Sequence, residues 1–261
     1  MAPLRVDRPE AGVAVLTLAV PERRNAMTEE LTAAWADAVR LLAGEASLRC
    51  VVVTGEGPAF CAGGDLSWIG AAGSQGAVEI RARLLPFYRT WLAIRDLEVP
   101  TIAAVNGPAV GAGLALALAC DLRYAVPDAT LSAPFTLLGI HAGMATTWLL
   151  PEVAGLPVAR ELLFTGRAVT GAEAVALGLV NRTFPADTFM NDVLQIARTI
   201  ASRAPVATRL TKVALADGGH PSFEAALAWE SLAQPVTMAT DDLREGLRAQ
   251  RERRPPRFTG R

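Results

Sequence analysis

The chain has 261 residues, 51% hydrophobic and 20% charged, with a formal net charge of -1, a balance that suits one large globular domain, alone or with an appendage. No basic block extends beyond the arginines near 251–254, which excludes the electrostatic footprint of a nucleic-acid binder. Cys50, Cys61 and Cys120 lack metal or redox spacing, which excludes a disulfide framework and a zinc site; with no signal-like apolar region near the N-terminus, the expected location is the cytoplasm.

Taken in order, residues 13–20 predict a strand and 21–25 the turn after it. Thr28 is placed to cap a helix whose first turn carries Glu29 and Glu30 and whose apolar positions, from Leu31 through Trp35 to Leu42, share one face. Residues 51–53 predict a buried strand that runs into a glycine-bearing loop, 55–66, containing Ala62-Gly63-Gly64-Asp65. A helix over 77–97 ends before Val99-Pro100, where proline disfavours continuation. The apolar run Thr101–Val105 predicts a fully buried strand, Asn106-Gly107-Pro108 a turn, and the uncharged residues 114–120 a helix buried on all sides. Short strands are expected at Leu122–Ala125 and Thr130–Ser132, then a loop over 134–144, a short helix near 146–150, helices over 158–164, 171–177 and 186–204, and one strand at 180–184. Beyond 203 the pattern is helical only, over 205–216, 223–232 and 241–251. The expected organisation is therefore a mixed core, residues 1–203, and a helical region, 204–261, whose apolar faces need a partner surface and imply a homo-oligomer.

Gly111 and Gly113 flank Ala112 at the start of the central helix, where unpaired backbone N–H groups and the helix dipole favour negative charge. The spacing Gly107-x-x-x-Gly111-x-Gly113 is neither a dinucleotide fingerprint nor a Walker loop, and the Asn-Gly-Pro break argues against a membrane helix through 101–120. Close packing and anion binding both fit this stretch taken alone. The loop around Ala62 adds a second set of small residues at the end of another buried strand, and two such loops are what a two-donor oxyanion hole requires. Acid–base groups are scarce: His141 and His220, Tyr88 and Tyr124, and a single lysine, Lys212. No Gly-x-Ser-x-Gly elbow is present.

Six segments together make the chain resemble the crotonase superfamily, the enoyl-CoA hydratase/isomerase family, along nearly its whole length. They are Pro21-Glu-Arg-Arg-Asn-Ala-Met27, Ala59-Phe-Cys-Ala-Gly-Gly-Asp-Leu66, Pro100-Thr-Ile-Ala-Ala-Val-Asn-Gly107, Gly111-Ala-Gly113 followed by Cys120-Asp121, Phe164-Thr-Gly-Arg-Ala-Val169 with Ala172-Glu-Ala-Val-Ala-Leu-Gly-Leu-Val180, and Asp242-Leu-Arg-Glu-Gly246. The resemblance implies an α/β fold, a spiral of strand-strand-helix repeats with a C-terminal helical trimerisation region, and trimers that often pair into hexamers. It implies a coenzyme A thioester as substrate, with no permanently bound cofactor and no metal. Carried over by motif position, it places backbone oxyanion donors at Ala62 and Ala112. It also lines the coenzyme A site with Ala62, Gly63, Gly64 and Asp65, with Arg24 and Ala26 near the nucleotide or pantetheine portion. The implied chemistry is stabilisation of an enolate beside the thioester.

Departures from the family's pattern shape the expected reaction. Hydratases of the family carry one glutamate two residues after the third glycine of the central loop, here Ala115, and another after the proline of the next loop, here Phe135. Isomerases and a dehalogenase of the family place an aspartate where this chain has Gly143. The two-glutamate route of water addition is not expected, because a positioned acid or base contributes ~10²–10⁴-fold. His141 and Asp65 are the candidates for moving a proton. Trp68, Phe87, Tyr88, Phe135 and Trp148 are candidates for an acyl-pocket wall. Three readings stand: an enoyl-CoA enzyme that shifts a double bond or adds water by an atypical route, another enolate reaction such as decarboxylation or thioester hydrolysis, and an inactive acyl-CoA-binding or assembly protein.

Overall fold

A computed structural model describes residues 2–65, 76–216 and 219–261. Strand β1 (Leu4–Glu10) pairs antiparallel with β2 (Val13–Leu18), and the sheet continues in parallel through β3 (Cys50–Gly55), β4 (Thr101–Val105), β6 (Leu122–Ala125) and β9 (Arg182–Thr183). Every residue of β2, β3 and β4 is buried, as a parallel sheet covered on both faces requires. A second sheet joins the short strands β5 (Ala109–Val110), β7 (Thr130–Ser132) and β8 (Ala168–Thr170).

Helix α1 (Glu29–Ala43) starts at Thr28, whose side chain accepts a hydrogen bond from the Leu31 amide at 3.2 Å, and it buries Leu31, Trp35, Ala38, Val39 and Leu42. Helix α2 (Ala77–Leu92) stops five residues short of the expected end, and a 3-10 turn, Ala93–Asp96, completes the segment. Trp91 of α2 stacks on Trp35 with ring centroids 4.9 Å apart. Each indole also finds an acceptor on the opposite helix, Trp35 Nε1 donating to the Thr90 carbonyl at 3.2 Å and Trp91 Nε1 to Thr32 Oγ1 at 3.1 Å. This reciprocal lock fixes the rotation of α2 and hence the direction of the residues one turn before Trp91, Phe87 and Tyr88.

Helix α3 (Ala112–Ala119) begins two residues earlier than expected, so the Ala112-Gly113 pair lies inside its first turn. The short helix near 146–150 and the helix over 158–164 are two halves of α4 (Thr146–Thr165), broken at Gly155, where φ is 77° and ψ 159°. Helices α5 (Gly171–Ala176) and α6 (Phe189–Ala201) follow, with the strand expected over 180–184 reduced to β9.

The C-terminal part consists of α7 (Pro205–Leu215), α8 (Phe223–Met238) and α9 (Asp241–Glu252). Lys212 of α7 ties it to the sheet: its Nζ lies 2.8 Å from Asp121 Oδ2 and donates to the Val99 carbonyl at 2.9 Å. The same Asp121 oxygen accepts the Thr101 amide at 2.7 Å, where β4 begins. Asp242 of α9 accepts the amides of Thr259 and Gly260 at 2.7 and 2.9 Å, and Glu245 accepts from Arg254 and from the Arg257 amide, so the final residues fold back on the helix. Among the described residues no helix is long and apolar enough to cross a membrane.

Candidate active site

A cleft of about 1470 Å³ opens between α1, α2, the loop at 62–65, the start of α3 and the segment 134–144. Its floor is made of backbone. The amides of Phe60 and Cys61 donate to the Pro108 carbonyl at 3.1 and 3.0 Å, and Val110 donates to the Cys61 carbonyl at 3.0 Å. These bonds stitch the first loop to the turn before α3. Gly63 has φ +92°, and a Cβ there would lie 2.5 Å from the Val110 carbonyl oxygen and 3.3 Å from the Ala112 nitrogen, so glycine alone permits the approach. At the N-terminus of α3 the Ala115 amide already bonds to Gly111, while the Ala112 N–H has no acceptor among the described residues. From Gly113 to Ala119 the helix is buried and uncharged, which leaves its positive end at Ala112 facing the cleft.

The expectation for Ala62 is corrected. Ala62 lines the cleft, but its N–H donates to the Arg24 carbonyl at 2.9 Å, and its only amide hydrogen is thereby engaged. The cause lies in the adjoining turn, where Arg24 and Asn25 adopt left-handed φ values of 50° and 55°. Buried Asn25 holds that turn, its Nδ2 donating to the carbonyls of Glu56 and Ala59 at 3.0 and 2.8 Å and its Oδ1 accepting the Val20 amide at 2.9 Å. Two residues beyond Ala62, Gly64 lines the cleft with an N–H that has no acceptor among the described residues.

Arg24 and Ala26 do not line the cleft; their neighbours Arg23 and Met27 do. Arg23 Nη2 lies 2.8 Å from Asp65 Oδ2, so Asp65 is ion-paired at the cleft's edge. Phe87, Tyr88 and Phe135 line the cleft, whereas Trp148 is 58% exposed and outside it. Left-handed Met144 and Ala145 set the start of α4 so that Leu149 and Leu150 turn inward instead. Trp68 lies outside the described residues. His141 lines the cleft but is exposed, with Nδ1 2.7 Å from the Ala142 carbonyl oxygen. Ala115 is fully buried and does not reach the cleft, while Gly143 lines it.

Burial pushes the thiols of Cys50, Cys61 and Cys120 up to about 12, so they stay protonated and inert at neutral pH. Among the described residues no group of three His, Cys, Asp or Glu side chains is placed to hold a metal ion.

Two mixed sheets wrapped by helices, with further helices at the C-terminus and a backbone-floored cleft, define the crotonase fold. The enoyl-CoA hydratase/isomerase family model matches residues 8–261. The crystal structure of an enoyl-CoA hydratase from Bacillus anthracis superposes with a TM-score of 0.93 at 33% identity, covering 99% of this chain and 100% of that one. A Thermus thermophilus relative that carries an enoyl-CoA hydratase designation is 39% identical over 246 residues, 94% of this chain and 97% of its own. Mouse mitochondrial methylglutaconyl-CoA hydratase is 34% identical over 260 residues, 98% of this chain and 82% of its own. The chain belongs to the enoyl-CoA hydratase/isomerase family, whose members act on acyl-CoA substrates without a permanently bound cofactor.

Proposed function

We propose that this protein stabilises the enolate of an enoyl-CoA thioester and shifts its double bond, or adds water, by a route that does not use two glutamates. The observation that carries this reading is the Ala112 N–H, without an acceptor among the described residues at the start of a buried helix and opening into a largely apolar cleft. Gly64 is the proposed second donor, since the Ala62 amide is engaged by Arg24. A thioester oxygen between the two amides gathers charge against donors already held in place by the backbone, which need not reorganise as the charge develops.

The reaction is expected to be atypical because Ala115 and Phe135 occupy the positions that the resemblance assigns to the hydratase glutamates. Phe135 stands at the oxyanion end of the cleft, its Cζ 3.8 Å from where a Cβ on Gly111 would lie. The loop 62–65 together with Arg23 is proposed to hold the coenzyme A portion, in place of the expected Arg24 and Ala26. His141 and Asp65 remain candidates for moving a proton, and the ion pair with Arg23 favours a loop-holding role for Asp65. The helices beyond 203 are proposed to form the trimer or hexamer contacts; the exposed apolar side chains Phe223 and Leu232 on α8 support this.

The test is to incubate the protein with 2-enoyl-, 3-enoyl- and malonyl-type thioesters in deuterated water and follow products by mass spectrometry. A moved double bond or a hydrated product, with deuterium on carbon, is the expected result. Loss of carbon dioxide or release of free coenzyme A would select another enolate reaction. Tight binding with no product from any thioester would mark an inactive acyl-CoA-binding protein.

A further inference from the structure

We propose that Tyr88 is the proton donor of this cleft: its phenolic O–H protonates the carbon of the enolate held by the backbone floor. The inference rests on the enolate reading above and names a residue for it. Tyr88 stands on α2 with its rotation fixed by the Trp35–Trp91 lock, and it is packed edge-on against Phe87, with ring centroids 6.2 Å apart. Its hydroxyl reaches across to Gly143, where a Cβ would lie 2.5 Å from the Tyr88 oxygen. Any side chain at 143 would displace that oxygen, so glycine there and tyrosine at 88 form a matched pair.

Among the described residues the Tyr88 hydroxyl makes no hydrogen bond, although the side chain is half-buried and lines the cleft. The hydroxyl is therefore available to a ligand in the cleft. The other acidic groups of the lining are committed or face outward. Asp65 pairs with Arg23, Glu29 lies 3.8 Å from Arg83, Glu30 is exposed, and His141 is exposed at the mouth. Burial also raises the Tyr88 pKa above the ordinary phenol value, which keeps the proton in place at neutral pH.

In the step assigned to it, the enolate's carbon–carbon π pair takes the Tyr88 proton and forms a C–H bond. The thioester carbonyl is restored as the oxyanion's charge returns, and the phenolate left behind regains a proton from solvent. The enolate and one solvent proton give the neutral thioester, and Tyr88 ends unchanged.

The experiment compares the full-length protein with Tyr88→Phe and Gly143→Ala, after circular dichroism has established that each variant folds. Gly143→Ala keeps the phenol but puts a methyl where its oxygen sits. Binding of acetoacetyl-CoA is measured by calorimetry, and deuterium exchange into the acyl carbons of the thioesters above by mass spectrometry. Expected is affinity within about threefold of the parent and exchange reduced by ~10²-fold or more in both variants, the scale of a positioned proton donor. Parent-like exchange in Tyr88→Phe overturns the assignment and leaves the enolate reading intact. A parent protein that binds the thioester but exchanges nothing overturns the proton donor, and one that binds no thioester overturns both.

Discussion

The floor and the wall of the cleft are built on different principles. The floor consists of main-chain groups from two loops, joined by hydrogen bonds between Cys61, Pro108 and Val110 and braced from behind by the buried Asn25 side chain. The wall consists of Phe87, Tyr88 and Phe135, whose directions depend on how a helix and a loop are packed. A backbone floor preserves one capability, polarising a carbonyl, whatever side chains stand around it. A wall of side chains can be changed one residue at a time, and with it the fate of the enolate.

The strongest way to break this division is to remove the donor proposed at Ala112. Proline is tolerated at the first position of a helix, so Ala112→Pro should fold while losing the N–H. Turnover is expected to fall ~10²–10³-fold, about 2.7–4 kcal/mol of transition-state stabilisation, with near-parent melting; steady-state kinetics and calorimetry check both. Asn25→Ala attacks the floor through its support. It strands the groups now bonded to the buried side chain and should cost roughly 1–3 kcal/mol of stability, read as a lower denaturant midpoint.

Away from both surfaces, the α9 clamp responds to acid. Hydrogen bonds from Arg254, then Arg248 and the Arg257 amide, hold the Glu245 carboxyl well below the ordinary carboxylate range. A depressed folded-state pKa contributes stability that is present above the unfolded value and lost as pH falls towards the folded one. Melting temperature should therefore decline below about pH 4.5, and Glu245→Gln should flatten that decline. The smallest effect is expected from His141→Ala. With the imidazole exposed at the mouth, the loss of turnover should stay short of the ~10²-fold that a proton-transfer group supplies. A larger loss, measured on the thioester the protein processes, would move the proton donor from the wall to the rim.

The floor was readable in the sequence because glycine-rich loops at the ends of buried strands leave few alternatives. Which amide of the first loop is available was not readable. That depends on the Arg24 carbonyl, delivered by left-handed φ values at two non-glycine residues that local preference disfavours. The choice of Arg23 over Arg24 at the cleft has the same origin. Helix α4 was hidden because Pro151, Gly155 and Pro157 read as breakers, and β1 because its exposed, charged positions carry no apolar alternation. Tyr88 was legible as a wall residue, but the reach of its hydroxyl depends on the pairing of two tryptophans 56 positions apart.

The sole lysine carries a further meaning for a protein that handles activated acyl groups. Thioesters transfer their acyl chains to free amines without help from any enzyme, and only an uncharged, accessible amine can attack. Here the one amine-bearing side chain is 11% accessible and held between Asp121 and a main-chain oxygen. Self-modification by its own substrates should accordingly be slight on the side chains, and amine-directed labels will find little on this surface to react with.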